Sequence, residues 1–221
     1  MQLELISFKL CPFVQRAIIA LKYCRIPYDI TYIDIMNPPA WFAEVSPFEQ
    51  VPVLRVDGVT SVFESAVIGE LVNEIGGGRL HPQDPVARAV HRAWIAVASD
   101  LLGQVYQLTG AQQEAAYRRA QALIVDRLEL LEAQVAGPFF GGEAPGLIDF
   151  SIAPLFMRLE LLGAHTPVVD ESALPKVAAW RQALSAMAEV RQSVTPEFAQ
   201  LFRAMVVKRG PFTADRHGLV V

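Results

Sequence analysis

The chain has few cysteines and no excess of positive charge, and each shortage excludes a class of protein. Only two of its 221 residues are cysteine, Cys11 and Cys24, so it has no disulfide framework of the kind that holds small secreted domains together. Nineteen Lys and Arg stand against 23 Asp and Glu, a formal net charge of −4. This balance argues against a general nucleic-acid or anionic-membrane surface, and we expect no nucleic-acid partner.

Long apolar runs are also missing. No stretch of about 20 apolar residues could span a bilayer, although 52% of the residues are hydrophobic. The N-terminus lacks the basic start and apolar stretch of a signal peptide. We therefore expect no membrane association and a cytoplasmic location, where a reducing environment keeps thiols free.

Metal-ligand patterns are absent too. The four histidines, His81, His91, His165 and His217, are scattered and lack the spacing of metal ligands. We expect no metal, and we expect these histidines at surface or capping positions.

The first 75 or so residues alternate between strand-like and helix-like segments. Strands are predicted at residues 3–7, 28–33, 51–56 and 60–63, and helices at residues 12–24, 39–45 and 65–75. The last two strands surround Asp57-Gly58, a strong hairpin signal. This β-α-β-(α)-β-β-α order is that of an α/β thioredoxin-like domain.

Strand signals largely vanish after a linker rich in Gly and Pro. Apolar residues at helical spacing predict an all-α helical bundle, with helices at residues 85–108, 147–162, 175–188 and 196–207 and one more after Ala111. We predict a first domain at 1–77, a linker at 78–84 and a second domain at 85–221, whose tail (208–221) has no clear pattern. Core packing is expected by default for four aromatic residues on the helical stripes: Trp94, Tyr106, Phe156 and Trp180. The alternative is that one or two of them line a substrate pocket.

Cys11 follows the first predicted strand and precedes Pro12, which suits the first position of a helix. This places Cys11 at or beside the helix N-cap, where free N–H groups and the helix dipole favour a thiolate. The alternative is a buried structural cysteine. We predict a reactive thiol.

Two further sites carry candidate chemistry. Val51-Pro52 lies where a loop enters a strand; a cis bond there would leave the Val51 backbone free to pair with an extended peptide. Glu64-Ser65 opens the third predicted helix with Ser65 as N-cap. A helix N-terminus binds carboxylates, so Ser65 and Glu64 together would recognise an α-amino-acid end. An edge-strand proline and a simple helix cap are the alternatives.

Together these sites resemble a cytosolic glutathione transferase, in particular the cysteine-type omega class and the related dehydroascorbate reductases. The resemblance covers most of the chain and weakens after about residue 190. It is carried by Cys11-Pro12-Phe13-Val14-Gln15-Arg16, Pro39-Ala40-Trp41-Phe42, Ser46-Pro47-Phe48, Val51-Pro52-Val53-Leu54, Glu64-Ser65-Ala66, Phe140-Gly141-Gly142, Leu147-Ile148-Asp149-Phe150 and Arg158-Leu159-Glu160.

The resemblance implies roles for individual residues. Cys11 would be the nucleophile that forms a mixed disulfide with glutathione, the co-substrate. Phe13, Ile35, Val51 and Pro52 would line the glutathione site, with the Val51 backbone on the cysteinyl part. Glu64 and Ser65 would bind the γ-glutamyl end. Family members are usually homodimers, and the helical domain would supply the pocket for a small oxidised or electrophilic substrate.

Three features depart from the resemblance or refine it. Pro38 stands where the family often has a lysine near the glycine end of glutathione, and Gln50 precedes the Val-Pro pair. Val14 stands three residues after Cys11, so a second glutathione, not a neighbouring thiol, would have to release the first. Asp149 matches a helix-capping aspartate with Gly146 as N-cap, a structural role.

Two functions therefore compete. The first is a glutathione-dependent thiol transferase or reductase. The second is a non-catalytic binding protein on the same scaffold, similar to stringent-starvation proteins, which bind a protein partner. The segment Asn37-Pro38-Pro39 and Gln50 favour the second; Cys11 and Glu64-Ser65 favour the first, which we expect.

Overall fold

A computed structural model describes residues 1–164 and 166–219. Its N-terminal part is built on a four-stranded mixed sheet of strands β1 Leu3–Ser7, β2 Asp29–Tyr32, β3 Val53–Val56 and β4 Thr60–Phe63. The strand order is β2-β1-β3-β4. The β1–β2 pair is parallel, whereas β1–β3 and β3–β4 are antiparallel. The β3–β4 turn places Asp57 and Gly58 at φ +53° and +70°, as a tight hairpin requires.

Three helices complete this part of the chain: α1 Pro12–Tyr23, α2 Phe42–Val45 and α3 Ser65–Ile75. Helix α1 provides the β1–β2 crossover that a parallel pair requires. It has proline at its first turn and buries Val14, Ala17, Ile18 and Leu21, the residues that predicted its helical stripe. This crossover puts the N-terminus of α1 at the end of β1.

The remaining described residues are helical apart from loops, a short bridge at Phe139 and Gly142, and a 3-10 turn, Glu171–Ala173. The helices are α4 Pro85–Thr109, α5 Glu114–Glu132, α6 Leu147–Leu162, α7 Pro175–Ala186, α8 Ala188–Arg191, α9 Phe198–Arg209 and α10 Pro211–Arg216. Helix α6 is apolar on nearly all sides, and its residues are mostly buried between α4 and α1. None of the described helices is long and apolar enough to cross a membrane.

The predicted fold class, a thioredoxin-like α/β domain followed by a helical domain, is confirmed. The predicted helix at 175–188 ends earlier, because Met187 adopts an extended conformation and separates α7 from α8. The tail, which had no clear pattern, forms α10 and packs against α4 and α5. The domain limits 1–77, 78–84 and 85–221 stay predictions.

The expectation of surface or capping histidines is wrong for two of them. His81 is buried, and its Nε2 lies 2.9 Å from Glu70 Oε1. His217 is buried too, with its Nε2 2.9 Å from the Tyr117 hydroxyl. Both bonds join residues that are distant along the sequence or lie on different elements, so spacing alone could not reveal them. His165 lies outside the described residues.

Asp149 is the polar centre of the helical domain. Its Oδ2 accepts the Gly146 N–H at 2.7 Å, which caps the start of α6. Its Oδ1 accepts the Phe140 N–H at 2.9 Å and the Trp180 indole N–H at 2.6 Å. The carboxylate is fully buried, so it joins α6, α7 and the preceding loop where water cannot replace it. The structural role expected for Asp149 follows from these bonds.

We predict that Asp149→Ala lowers the free energy of unfolding by about 3 kcal/mol or more, because three buried donors lose their acceptor. Urea denaturation measures the change. The control is Asp84→Ala, since Asp84 caps α4 from an exposed position through one bond to the Ala87 N–H. That variant should lose only about 1 kcal/mol. Equal losses in the two variants would contradict the role given to Asp149.

Candidate active site

A cleft between the sheet domain and the helices consists of two adjoining cavities, each of about 560 Å³. Both are lined by Phe13, Gln50 and Val51. We call the one that reaches Ser65 the α3 pocket, and the one that contains Cys11 the thiol pocket. The predicted site residues thus meet in one cleft, with the Val51 backbone between its halves.

Cys11 occupies the N-cap position of α1, as the sequence predicts, with extended backbone angles (φ −72°, ψ 119°). Its thiol points at the loop before β3, where Sγ lies 3.6 Å from the Val51 carbonyl oxygen and donates to it. The carbonyl that the sequence assigned to an extended peptide therefore accepts the Cys11 S–H.

Opposing influences act on the Cys11 thiol. Burial raises its pKa above the ordinary value. The N–H groups of Val14 and Phe13, at the first turn of α1, favour the thiolate, as do the positive charges of Arg158 and Arg16. Burial has the largest effect, so the pKa stays raised despite the helix N-terminus that the sequence identified.

Arg158 extends from α6 into the wall of the thiol pocket. Its guanidinium is buried, and it donates to Gln15 Oε1 at 2.6 Å and to the Leu10 carbonyl at 2.9 Å. Gln15 in turn donates to Ser193 Oγ at 3.0 Å. Burial lowers the pKa of Arg158 to about 10, which leaves it charged at neutral pH. The charge of Arg158 and that of a Cys11 thiolate favour each other.

The remaining walls of the thiol pocket are mainly apolar. They are formed by Phe8, Leu10, Pro12, Ile35, Leu102, Val105, Tyr106, Phe202 and Met205. Tyr106 lies in this wall and not in the core, which was its default expectation. It is 53% exposed and lies beneath the Arg209 guanidinium, 3.8 Å from ring centroid to Cζ. Ile35 lies at the edge of this pocket, whereas Pro38 is exposed and lines neither cavity.

The α3 pocket ends at the N-terminus of α3. Glu64, at the N-cap, has φ +66°, an uncommon conformation for a residue with a side chain and one that clusters at functional sites. The helix therefore begins at Ser65, so the expectation that Ser65 is the N-cap is wrong. The first intrahelical bond is made by the Ile68 N–H to the Glu64 carbonyl. The N–H groups of Ser65, Ala66 and Val67 precede it and can receive an anion.

Arg16 lies behind Ser65. Its guanidinium donates to Ser65 Oγ from Nε at 3.0 Å and from Nη2 at 2.6 Å, and from Nη1 to Ser99 Oγ at 2.7 Å. Arg16 also lies over the Phe13 ring, 5.3 Å from ring centroid to Cζ. Phe13 thus separates the Arg16 side chain from the thiol pocket and lines both cavities.

The Val51–Pro52 peptide bond is cis, as the sequence predicts. Pro52 lines the α3 pocket, and β3 begins one residue later at Val53. The Val51 backbone therefore lies outside the β3 ladder and faces the cleft.

Sequence reasoning gave no role to Arg16, Arg158 or Phe202. A signal existed for the two arginines, because each is a lone cation in an otherwise apolar helical stretch, and such residues are seldom buried without a partner. The sequence contains no comparable signal for Phe202, since it lies on an ordinary apolar stripe of a helix. Cys24 is a free cysteine at the C-cap of α1 and lines neither cavity.

Comparison with known proteins gives two family matches. The family model "Glutathione S-transferase, N-terminal domain" matches residues 10–75, and "Glutathione S-transferase, C-terminal domain" matches residues 114–183. Glutathione S-transferase omega-1 of Rattus norvegicus is 30% identical over 183 residues, which are 81% of this chain and 75% of the relative. Pyrimidodiazepine synthase of Drosophila melanogaster is 31% identical, over 80% of this chain and 74% of the relative. Glutathione S-transferase DHAR2 of Arabidopsis thaliana is 29% identical over 70% of each chain.

Solved structures agree with this fold. Glutathione transferase Omega 3C of Trametes versicolor superimposes with a TM-score of 0.79 at 25% identity, over 88% of this chain and 90% of that one. Rice GST1, solved in complex with glutathione, superimposes with a TM-score of 0.80 at 24% identity, over 95% and 98% of the two chains. Because the rice protein is less than 25% identical to this chain, its similarity shows a shared fold only.

We predict that alkylation of Cys11 by iodoacetamide accelerates with pH, with a midpoint above the ordinary thiol pKa of about 8.5. Only the thiolate reacts, and burial raises the pKa, so the reactive fraction grows as pH passes through the raised value. Arg158→Met should move the midpoint higher still, because one charge that favours the thiolate is lost. The rate is measured between pH 6 and 11 in a Cys24→Ser background.

The matched control for the lost charge is Arg203→Met, since Arg203 is an exposed residue of α9 that lines neither cavity. Its midpoint should equal that of the parent protein. A parent midpoint below the ordinary thiol value, or an Arg158→Met midpoint at or below that of the parent, would contradict this account.

Proposed function

Since the chain belongs to the glutathione S-transferase family, we propose that it is a glutathione-dependent thiol transferase and reductase whose nucleophile is Cys11. The observation that carries the proposal is the position of the Cys11 thiol. It lies at the N-terminus of α1, 3.6 Å from the Val51 carbonyl, in a cleft that also contains Ser65. A Ser or Tyr hydroxyl at that place would suit conjugation, whereas a thiol suits disulfide chemistry.

Glutathione would lie along the cleft from Ser65 to Cys11. Its γ-glutamyl carboxylate would meet the Ser65 hydroxyl and the free N–H groups of α3, while the Glu64 carboxylate would face its ammonium group. The cysteinyl part would pair with the Val51 backbone, as an added strand does. Phe13 and Pro52 line this path, and Ile35 lies at the edge of the thiol pocket.

The first chemical step is a thiol–disulfide exchange. The Cys11 thiolate attacks the glutathione sulfur of a mixed disulfide, a new S–S bond forms, and the old S–S bond breaks. The released substrate sulfur leaves with the electron pair and takes a proton from solvent. A raised pKa lowers the thiolate fraction at neutral pH, but it also makes each thiolate a stronger nucleophile.

The second step needs another glutathione. Val14 stands where a dithiol enzyme has its second cysteine, and Cys24 lies at the far end of α1. A glutathione thiolate therefore attacks the glutathione sulfur bound to Cys11, which forms oxidised glutathione and restores the Cys11 thiolate. With dehydroascorbate as oxidant, two glutathione thiols become one disulfide and supply the two electrons and two protons of the reduction.

We further propose a cytoplasmic homodimer. Phe48 is 65% exposed and packs edge-on against Phe63, also exposed, with ring centroids 5.9 Å apart. Both rings and the exposed Val67 line the outer part of the α3 pocket. Exposed apolar surface of this kind marks protein contacts, and a second copy is the partner that the family suggests.

We predict that oxidised glutathione adds one glutathione moiety to the protein and that excess reduced glutathione removes it. Intact-mass spectrometry follows both steps. Cys24→Ser should behave as the parent does, while Cys11→Ser should gain nothing, because the attacking sulfur is gone. Turnover with a glutathione mixed disulfide should disappear in Cys11→Ser as well.

Labelling of Cys24 in place of Cys11, or of neither residue, would contradict the proposed mechanism. Absence of both the adduct and glutathione binding would favour the alternative, a non-catalytic binding protein on this scaffold.

Phe48→Ser should convert dimers to monomers, because the exposed aromatic contact is lost. Sedimentation equilibrium measures the change in mass. Val59→Ser is the control, since Val59 is 88% exposed in the β3–β4 turn and lines neither cavity. A parent protein that is monomeric, or a Phe48→Ser variant as dimeric as the parent, would contradict the proposed interface.

A further inference from the structure

Arg16 is a buried cation that contacts no carboxylate. Its side chain belongs to a residue only 5% exposed, and none of the ion pairs found among residues 1–164 and 166–219 includes it. Burial lowers the pKa of Arg16 to about 10, so it remains charged at neutral pH. The Glu64 carboxylate favours the charged form of Arg16 but forms no ion pair with it. A buried charge without a paired counter-ion favours an anion in the α3 pocket, which Arg16 lines.

The hydrogen bonds of the Arg16 guanidinium all go to neutral groups. Nη1 donates to Ser99 Oγ at 2.7 Å, and the Ser99 hydroxyl donates to the Ile95 carbonyl at 3.0 Å. Ser99, which lies on α4, thus holds the Nη1 side of the Arg16 guanidinium. Nε and Nη2 both donate to Ser65 Oγ, at 3.0 and 2.6 Å. The planar fork therefore holds one hydroxyl oxygen from two directions.

These contacts determine which hydrogen bonds the Ser65 hydroxyl can still make. Its oxygen has two lone pairs, and both face donors on Arg16. Its hydroxyl hydrogen has no acceptor in the part of the chain that the structure describes. The hydroxyl is left to donate to a ligand in the α3 pocket, beside the N–H groups at the start of α3. Two kinds of donor, the hydroxyl and the backbone N–H groups, with a full positive charge behind them, form a site for a carboxylate.

We infer that Arg16 is a positioning residue for the α-carboxylate of the γ-glutamyl group: it orients the Ser65 hydroxyl as a donor and supplies the counter-charge from behind. This inference rests on the proposed function, because it takes glutathione as the occupant of the α3 pocket. It deepens that function by assigning the choice of an anionic amino-acid end to a residue of α1 that lines the α3 pocket but directs its hydrogen bonds to Ser65 and Ser99.

The test compares two ligands. One is reduced glutathione, and the other is the same tripeptide with 4-aminobutanoyl in place of γ-glutamyl, which lacks only the α-carboxylate. Calorimetry gives their affinities for the full chain and for Arg16→Met, Arg16→Lys and Ser65→Ala. Arg16→Met should weaken glutathione binding by about 10- to 100-fold, the effect of losing a charge-assisted contact, while the affinity for the analogue changes by less than about 2-fold.

The other variants separate charge from geometry. Arg16→Lys keeps the charge but not the fork, so its glutathione affinity should fall between those of the parent and Arg16→Met. Ser65→Ala should also lose discrimination between the two ligands. In turnover, Arg16→Met should raise KM for glutathione far more than it lowers kcat, since the reacting sulfur is not involved. Arg55→Met is the control, because the Arg55 guanidinium already pairs with Glu4 outside the cleft; its ligand ratio should match that of the parent.

Equal weakening of both ligands in Arg16→Met would overturn the inference and leave Arg16 with a structural role only. If Arg16→Met does not fold, Arg16→Lys and Ser65→Ala decide, and unchanged discrimination in both would overturn it. Failure of the parent protein to bind glutathione at all is a different result, because it would remove the proposed function itself.

Discussion

The cleft depends on two buried guanidiniums, Arg16 on the α3 side and Arg158 on the thiol side. Neither forms an ion pair with a carboxylate of residues 1–164 or 166–219. Removing a charge from water is unfavourable unless an opposite charge or several hydrogen bonds replace the water. Each guanidinium donates hydrogen bonds to hydroxyl, amide or carbonyl oxygens of the protein. These bonds keep the arginine in place without neutralising its charge. The positive potential is therefore left for what enters the cleft. Glutathione carries carboxylates at both ends and a thiol that must ionise, so it is the kind of ligand that this potential favours.

The same two arginines hold the sheet domain against the helices. Arg158, on α6, donates to Gln15 and to the Leu10 carbonyl on either side of Cys11. Arg16, on α1, reaches Ser99 on α4. Because these polar bonds lie in the buried interface, any relative displacement of the domains would leave a guanidinium unsatisfied. The position of the thiol is therefore set by the domain contact as well as by the end of β1, and the site requires both halves of the chain.

Local pattern was enough to predict much of this molecule, and it failed where distant residues meet. The bounds of β1, β4, α3 and α6 follow from apolar periodicity and turn residues that act over a few positions. The placing of Cys11 at an N-cap and the hairpin at Asp57-Gly58 have the same local origin. Ser65 is different, because Glu64 and not Ser65 occupies the N-cap of α3, and the Ser65 oxygen accepts hydrogen bonds from Arg16. The pKa of Cys11 could not be predicted either, since the burial that raises it comes from helices folded over the cleft.

The Val51 carbonyl joins the thiol to the loop that precedes β3. It accepts the Cys11 S–H at 3.6 Å, and Val51, which is joined to Pro52 by a cis bond, lies outside the β3 ladder. In the proposed complex, the cysteinyl N–H of glutathione would compete with the Cys11 S–H for this oxygen. A thiol that lost this acceptor would be more exposed to the influence of the α1 N–H groups and the two arginines, which favour the thiolate. The proposed binding mode would therefore act on the Cys11 sulfur through the same carbonyl that positions the ligand.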